Sequence, residues 1–338
     1  MIDKAIYDIL SGKNLSLDAA KSVMLQMMEG DATDAQMGAF LAAMRLKGES
    51  IDEITACAQV MREKCLRLCP KGDTLDIVGT GGDELYSFNI STVSAFVAAA
   101  GGVPVTKHGG RSVSGKCGSA DVLEALGVNI SLGARDSEKV LSETGMCFLL
   151  AQVYHSAMKH VAHVRKELGV RTIFNILGPL SNPAGANLQL LGVYDENLVE
   201  PMARVLKNLG VKRAMVVHGH DGLDEITLTG ASTICEVAGG RINSYFITPE
   251  QFGLTRCTVA DLRGGGPAEN AAIARDILSG KPGPCRDIVV MNAACCLYMG
   301  RSGITMGDCV LMAQELIDSG RAMAKLRDFI RISNEVAA

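Results

Sequence analysis

The run Asp76-Ile-Val-Gly79-Thr-Gly81-Gly82-Asp83-Glu-Leu-Tyr-Ser-Phe-Asn89-Ile-Ser91-Thr92 decides how this chain reads. The apolar residues 75–78 predict a short strand running into a glycine turn, and the small residues 93–100 predict a helix after it. Glycines at 79, 81 and 82 let a backbone approach a ligand with no Cβ atoms in the way. A helix N-terminus behind such a turn offers unpaired N–H groups and the positive end of a dipole, which suit phosphate. Asp83 adds a carboxylate, which fits beside phosphate only when a cation comes with it. A second reading stands next to this one: a plain strand-to-helix turn with Asn89 or Ser91 as the helix cap, worth about 1 kcal/mol.

Downstream, short apolar strands alternate with helices. Strands are expected at 75–78, 103–106, 147–150, 213–217 and 225–228, and helices at 93–100, 121–125, 137–144 and 199–209. This alternation predicts an α/β fold, a mainly parallel central sheet flanked by helices, with ligands beyond the strand C-termini. Residues 234–237 and 242–247 read as a late hairpin, and the chain after it is mostly helical. Gly178-Pro-Leu-Ser-Asn-Pro183 reads as a Pro/Gly-rich link where the chain crosses between domains.

Upstream, residues 1–70 read as helices only. Ser16 precedes an amphipathic run that ends at Gly30, and Thr33 with Gln36 forms a capping box before a helix ending at Gly48. Ser50 and Glu53 repeat that signature ahead of a helix over 51–68, after which Pro70 and Gly72 break the pattern. The expected organisation is a small helical domain over 1–70 and an α/β domain over 74–338.

Composition bounds the rest. The chain has 338 residues, 48% of them apolar and 21% charged, which is ordinary for a folded globular protein. A net charge of −4 without a basic tail argues against nucleic acid as a partner. No run of about 18 apolar residues or signal-type N-terminus points to a membrane. Eleven scattered cysteines without a Cys-x-x-Cys pair read as reduced thiols of a cytoplasmic protein. Zinc is not expected, because His155, His160 and His163 have no cysteine or carboxylate at ligand spacing.

Charge is distributed unevenly. No acidic residue falls between Glu84 and Asp121, whereas Lys107, Arg111 and Lys116 do. The stretches 145–166 and 168–194 are also free of acids and contain Lys159, Arg165, Lys166 and Arg171. Cations among glycines suit an anionic ligand, and Lys107, ending an apolar strand, is the strongest candidate. Asp221-Gly-Leu-Asp224-Glu225 supplies two adjacent carboxylates in a turn, either solvated acids or the holders of a hard cation that also bridges phosphate oxygens. Gly79-Thr-Gly-Gly82 is neither a Walker loop nor a Gly-x-Gly-x-x-Gly turn.

These segments resemble the anthranilate phosphoribosyltransferase family, related in fold to the pyrimidine nucleoside phosphorylases. Matching stretches, in the family's order, are Gly79 to Asp83, Asn89 to Thr92, Lys107-His-Gly-Gly-Arg111, Lys116 to Gly127, His155 to His160, Arg165 to Pro183 and His218 to Glu225. The resemblance implies a pentosyl-transferring glycosyltransferase. It would move phosphoribose from 5-phosphoribosyl-1-pyrophosphate (PRPP) to the amino group of anthranilate and release pyrophosphate, the second step of tryptophan biosynthesis from chorismate. Two Mg²⁺ ions are implied, as are a helical domain completed by helices near 165–185 and a homodimer formed through it. Carried over by position, Gly79, Gly81, Gly82, Asp83, Asn89, Ser91, Thr92, Lys107 and Ser119 match PRPP-binding residues. Ser91, Asp224 and Glu225 match the metal set, Gly79, His108, His155 and Arg165 match the anthranilate side, and Gly110 occupies a further position on that side. No residue matches a general acid or base, and an oxocarbenium-like centre needs no protein nucleophile. Gly110 stands where the family usually has Asn, so an amide on the acceptor side is missing; Ser156, in place of the usual Pro, and His163 are milder departures. A relative using another aromatic amine or acid, a pyrimidine nucleoside phosphorylase and a non-catalytic PRPP binder are the alternative readings.

Overall fold

The computed structural model describes residues 1–112 and 115–337. It begins with four helices, α1 (Ile2–Leu10), α2 (Leu17–Glu29), α3 (Asp34–Lys47) and α4 (Ile51–Lys64). Their ends are where the sequence places them for a local reason. Ser16 Oγ accepts from Ala19 N at the start of α2, and both expected capping boxes form. Helix α4 stops at Lys64, short of 68, because the next backbone N–H groups bond outwards. Leu66 N donates to Tyr154 O (2.8 Å) and Leu68 N to Pro183 O (3.2 Å).

The α/β part then runs β1 (Leu75–Gly79), α5 (Ile90–Ala100), β2 (Val105–Gly109), α6 (Ser119–Leu126), α7 (Ala134–Thr144) and β3 (Met146–Leu150). Three short helices follow, α8 (Ala151–Tyr154), α9 (Lys159–Leu168) and α10 (Phe174–Leu180). Next come β4 (Leu188–Gly192), α11 (Val199–Asn208), β5 (Arg213–Gly219), β6 (Ser232–Ala238) and β7 (Arg241–Ile247). The chain ends in α12 (Pro267–Leu278), α13 (Pro284–Gly300), α14 (Met306–Asp318) and α15 (Arg321–Glu335).

The seven strands form one sheet in the order β3-β2-β1-β4-β5-β6-β7. The first five are parallel; β6 and β7 close the edge as an antiparallel hairpin through Gly239 and Gly240, both at positive φ. Three sequence expectations are corrected here. Residues 225–228 are not a strand. Their backbone is taken by side chains: Asn292 Oδ1 accepts from Ile226 N (3.1 Å) and Asn292 Nδ2 donates to Ile226 O (2.9 Å). The parallel strand β4 lies at the centre of the sheet and was not foreseen. Residues 178–180 belong to α10, with Pro179 in its last turn, so the crossing link begins only at Ser181.

Two apolar clusters flank the sheet. One packs α5 and the C-terminal helices on one face, with Phe96 and Phe329 edge to face at 6.0 Å. The other joins α1–α4 to Val161 and Val164 of α9, to Phe174, Ile176, Leu177 and Leu180 of α10, and to the sheet's opposite face. At the site, β1 and β2 pair at Leu75↔Val105 and side chains stitch them beyond that point. Asp76 Oδ1 accepts from His108 N (3.1 Å), Lys107 Nζ donates to Ile77 O, and Asn182 Nδ2 donates to Thr106 O (2.7 Å).

Candidate active site

The glycine turn leaves the C-terminal end of β1, beside the point where the strand order reverses and ligands bind in open parallel sheets. Its glycines make room for protein as much as for ligand. A Cβ on Gly79 would sit 2.2 Å from Asp224 Oδ2, and one on Gly192 would sit 1.5 Å from Asp224 O. Asp224 therefore lies in a slot between the ends of β1 and β4, where its Oδ2 accepts from Gly81 N at 2.7 Å. Gly81 and Gly82 take positive φ (68° and 79°), which favours glycine at both.

Behind the turn, α5 is capped from far away. Neither Asn89 nor Ser91 caps it with its side chain; Glu225 Oε1 accepts from Ser91 N (3.1 Å) across 134 residues. Asn89 instead ties its own loop to the loop at Cys117 and to α12, its Nδ2 donating to Cys117 O (3.1 Å) and its Oδ1 accepting from Asn270 Nδ2 (2.9 Å). Ser91 Oγ accepts from Lys107 Nζ (3.2 Å). Thr92 Oγ1 and Asp83 Oδ2 are buried without a partner, a costly state that a ligand or ion would relieve.

The charges here are strongly perturbed. Burial, then the charge of Asp83, pushes Asp224 up to about 7. Burial, then Asp224, pushes Glu225 up to about 8. Burial lowers Lys107 against the opposing pull of Asp76 and Glu225. Excess buried negative charge fits a hard cation, and the donors are all oxygens. Among the described residues no three or more His, Cys, Asp or Glu side chains form a metal cage. A cation on Asp224, Glu225 and Ser91 would accordingly keep positions for water or ligand oxygens.

Strand alternation separates two neighbours. Lys107 lies with Ser91, while His108 goes to the other side, its Nδ1 3.2 Å from Gly178 O on α10. A carbonyl only accepts, so Nδ1 carries the proton and Nε2 is a bare acceptor, buried and unpartnered. His155 packs against it with the ring planes tilted by 56° and the centroids 5.0 Å apart, and its Nε2 is equally unpartnered. Burial first, and for His108 the nearby His155, hold the two imidazoles neutral, at about 3 for His108 and about 4 for His155. Arg165 on α9 is half-buried over the Phe174 ring (5.1 Å), and burial alone lowers its pKa.

The second glycine turn is more structural than expected. A Cβ on Gly109 would collide with Ser119 Oγ at 2.2 Å, and Ser119 Oγ donates to Gly110 O (3.4 Å). Arg111 is not a free cation, because Asp121 and Glu124 pair with it at 3.1 and 2.8 Å. Around Gly110 there is space, the nearest atom to an added Cβ being Ala151 Cβ at 3.8 Å. Sequence reasoning missed Asn292 and Asp76, whose only signal is a polar residue inside an apolar run, and named Arg171 only as one cation of an acid-free stretch.

Family models match both parts of the chain: the helical bundle domain of a glycosyl transferase family over residues 3–65 and that family's a/b domain over 71–323. An anthranilate phosphoribosyltransferase of Ruminiclostridium cellulolyticum is 66% identical over 334 residues, 99% of this chain and 98% of the relative. The chain belongs to the anthranilate phosphoribosyltransferase family. Solved members share its fold. The Thermus thermophilus enzyme superposes with a TM-score of 0.93 at 43% identity, covering 98% of this chain and 99% of its own. The Saccharomyces cerevisiae enzyme, solved with PRPP and Mg, gives 0.91 at 29% identity over 99% and 98% of the two chains. It has also been solved with 4-fluoroanthranilate.

Proposed function

We propose that the protein transfers phosphoribose from PRPP to the amino group of anthranilate, giving N-(5-phosphoribosyl)anthranilate and pyrophosphate in tryptophan biosynthesis. The observation that carries this reading is the alternation on β2. Lys107 joins the glycine turn and the buried carboxylates, and His108 joins the neutral imidazole and the arginine side. The first half-site suits a polyanion and the second a small aromatic acid.

The glycine turn, Asn89, Thr92, Lys107 and Ser119 hold the diphosphate and ribose phosphate. Ser91, Asp224 and Glu225 would hold Mg²⁺, two ions on this reading, which when bound would supply positive charge against that of the leaving pyrophosphate. Lys107 adds a fixed ammonium that needs no reorganisation at that moment. Arg165 takes the carboxylate of anthranilate, and the bare Nε2 of His108 accepts an N–H hydrogen bond on the acceptor side, beside the unpartnered Nε2 of His155, and Gly79 and Gly110 complete that side. The C1–O bond to pyrophosphate breaks, the amine nitrogen bonds C1, and its proton leaves to solvent. An arylammonium is acidic enough to need no dedicated base, so positioning across the two half-sites carries the rate.

The domain division at 70–74, a homodimer and a reducing cytoplasmic setting belong to the same reading. Tyr7, Leu10 and Leu46 of α1 and α3 are 71%, 67% and 85% exposed, an apolar surface for a second copy. All eleven cysteines are free. Loss of anthranilate fluorescence on adding PRPP tests the reaction. It is expected with Mg²⁺ and abolished by EDTA, and no loss with Mg²⁺ overturns the reading.

A further inference from the structure

Arg171 lies between α9 and α10, outside both sets of proposed ligand-binding residues, yet it is the link between them. Its Nη2 donates to Gly82 O at 2.5 Å and lies 3.6 Å from Glu84 Oε1. Its guanidinium stacks 4.2 Å over the ring of Tyr194, whose backbone N donates to Thr80 Oγ1 (3.1 Å). Thr80 N in turn donates to Gly192 O (3.0 Å). The first half of the glycine turn is thus held from two sides, and Arg171 is the holder that comes from the helical side. Glu84 and Tyr86 just beyond take positive φ (61° and 54°), so the turn is kept in a conformation that non-glycine residues rarely adopt alone.

The other end of this link reaches the acceptor side within a few residues. Thr172 N donates to Asn175 Oδ1 (3.0 Å) at the entry to α10. Helix α10 carries Phe174, over which Arg165 stacks, and Gly178, whose carbonyl fixes the His108 ring. One guanidinium thus connects the glycine turn to the segment that orients both Arg165 and His108.

We propose that Arg171 is a positioning residue that couples the two half-sites, so that a diphosphate group in the glycine turn tightens binding of the aromatic acid, and the reverse. The inference rests on the proposed function. Coupling is reciprocal because both ligands favour the same clamped arrangement.

The test is a fluorescence titration of anthranilate with and without Mg²⁺-pyrophosphate, which occupies the turn without reacting. The wild-type protein is expected to bind anthranilate at least about fivefold more tightly when pyrophosphate is present. In Arg171→Ala each ligand binds alone within about threefold of wild type, and the coupling falls below about twofold, a loss of more than half of the minimum expected. Arg171→Lys keeps the charge without the fork or the stack and is expected to lose the coupling too. Should Arg171→Ala not fold by circular dichroism, Tyr194→Leu removes the stack and carries the same expectation. Coupling retained in these variants overturns the proposal, as does a wild-type protein that binds both ligands independently. A wild-type protein that binds neither ligand overturns the proposed function itself.

Discussion

The two half-sites handle charge in opposite ways. Around Asp224 and Glu225, carboxylates are crowded and buried with a single lysine among them, so the region holds more negative charge than it neutralises. Around His108 and His155, imidazoles are kept neutral, and Arg165 is shifted by burial alone. On the proposed reading the first region is completed by a cation and the second by an anion, and that difference supports placing the two substrates on opposite sides.

The hardest way to break this contrast is to remove the ammonium of the diphosphate side. Lys107→Met is expected to lower kcat by about 100- to 1,000-fold, the usual loss for one preorganised stabilising group, with the circular dichroism spectrum unchanged. A near-wild-type kcat would remove Lys107 from the diphosphate side.

Next in size is Asp224→Ala with Glu225→Ala, expected to lose most turnover together with its response to Mg²⁺. The same pair sets a pH signature in the metal-free protein. Their folded pKa values, about 7 and about 8, are raised, so the folded state binds more protons and stability falls as pH rises from about 4 to about 8. The imidazoles, at about 3 and about 4, are depressed, so their contribution rises with pH up to about 6.5. Between about 6.5 and 8 the imidazoles no longer change and the carboxylate slope remains. Thermal melts across that window should fall with pH, flatten in the double variant and flatten when Mg²⁺ is added. A rising melt in that window would contradict the crowded-carboxylate description.

On the acceptor side, Arg165→Ala is expected to raise the KM for anthranilate by about 10- to 100-fold, the worth of a charge-assisted hydrogen bond, and that for PRPP far less. Equal effects would take Arg165 away from the acceptor. The smallest change is expected from Gly110→Asn. An added Cβ there meets nothing closer than 3.8 Å, so the protein should fold normally. The new amide should lower the KM for anthranilate by about two- to tenfold, one neutral hydrogen bond. An unchanged KM would mean that this position faces no acceptor.

What the sequence shows depends on how locally each feature is decided. The capping boxes at Thr33 and Ser50 and the strand before Gly79 are set by neighbours within a few residues, and they read correctly. Helix α4 ends where Tyr154 and Pro183 take its N–H groups, and no local pattern foretells those partners. Leu-Gln-Leu-Leu-Gly at 188–192 had the apolar run of a buried strand, but Gln189, bonded to Pro179 O, broke its appearance. The apolar run after Glu225 looked like a strand because the asparagine that claims its backbone lies 66 residues away. At the site, residue types and family order were visible, whereas the reason for Gly79, making space for Asp224, needed three dimensions.

The slot for Asp224 also bears on the order of assembly. Its walls, Gly79 and Gly192, are the last residues of β1 and β4, and they stand face to face only once those strands have paired. A chain still waiting for that pairing has nowhere to put the carboxylate and so no site hungry for a cation. The slot for the carboxylate is thus complete only when the centre of the sheet closes.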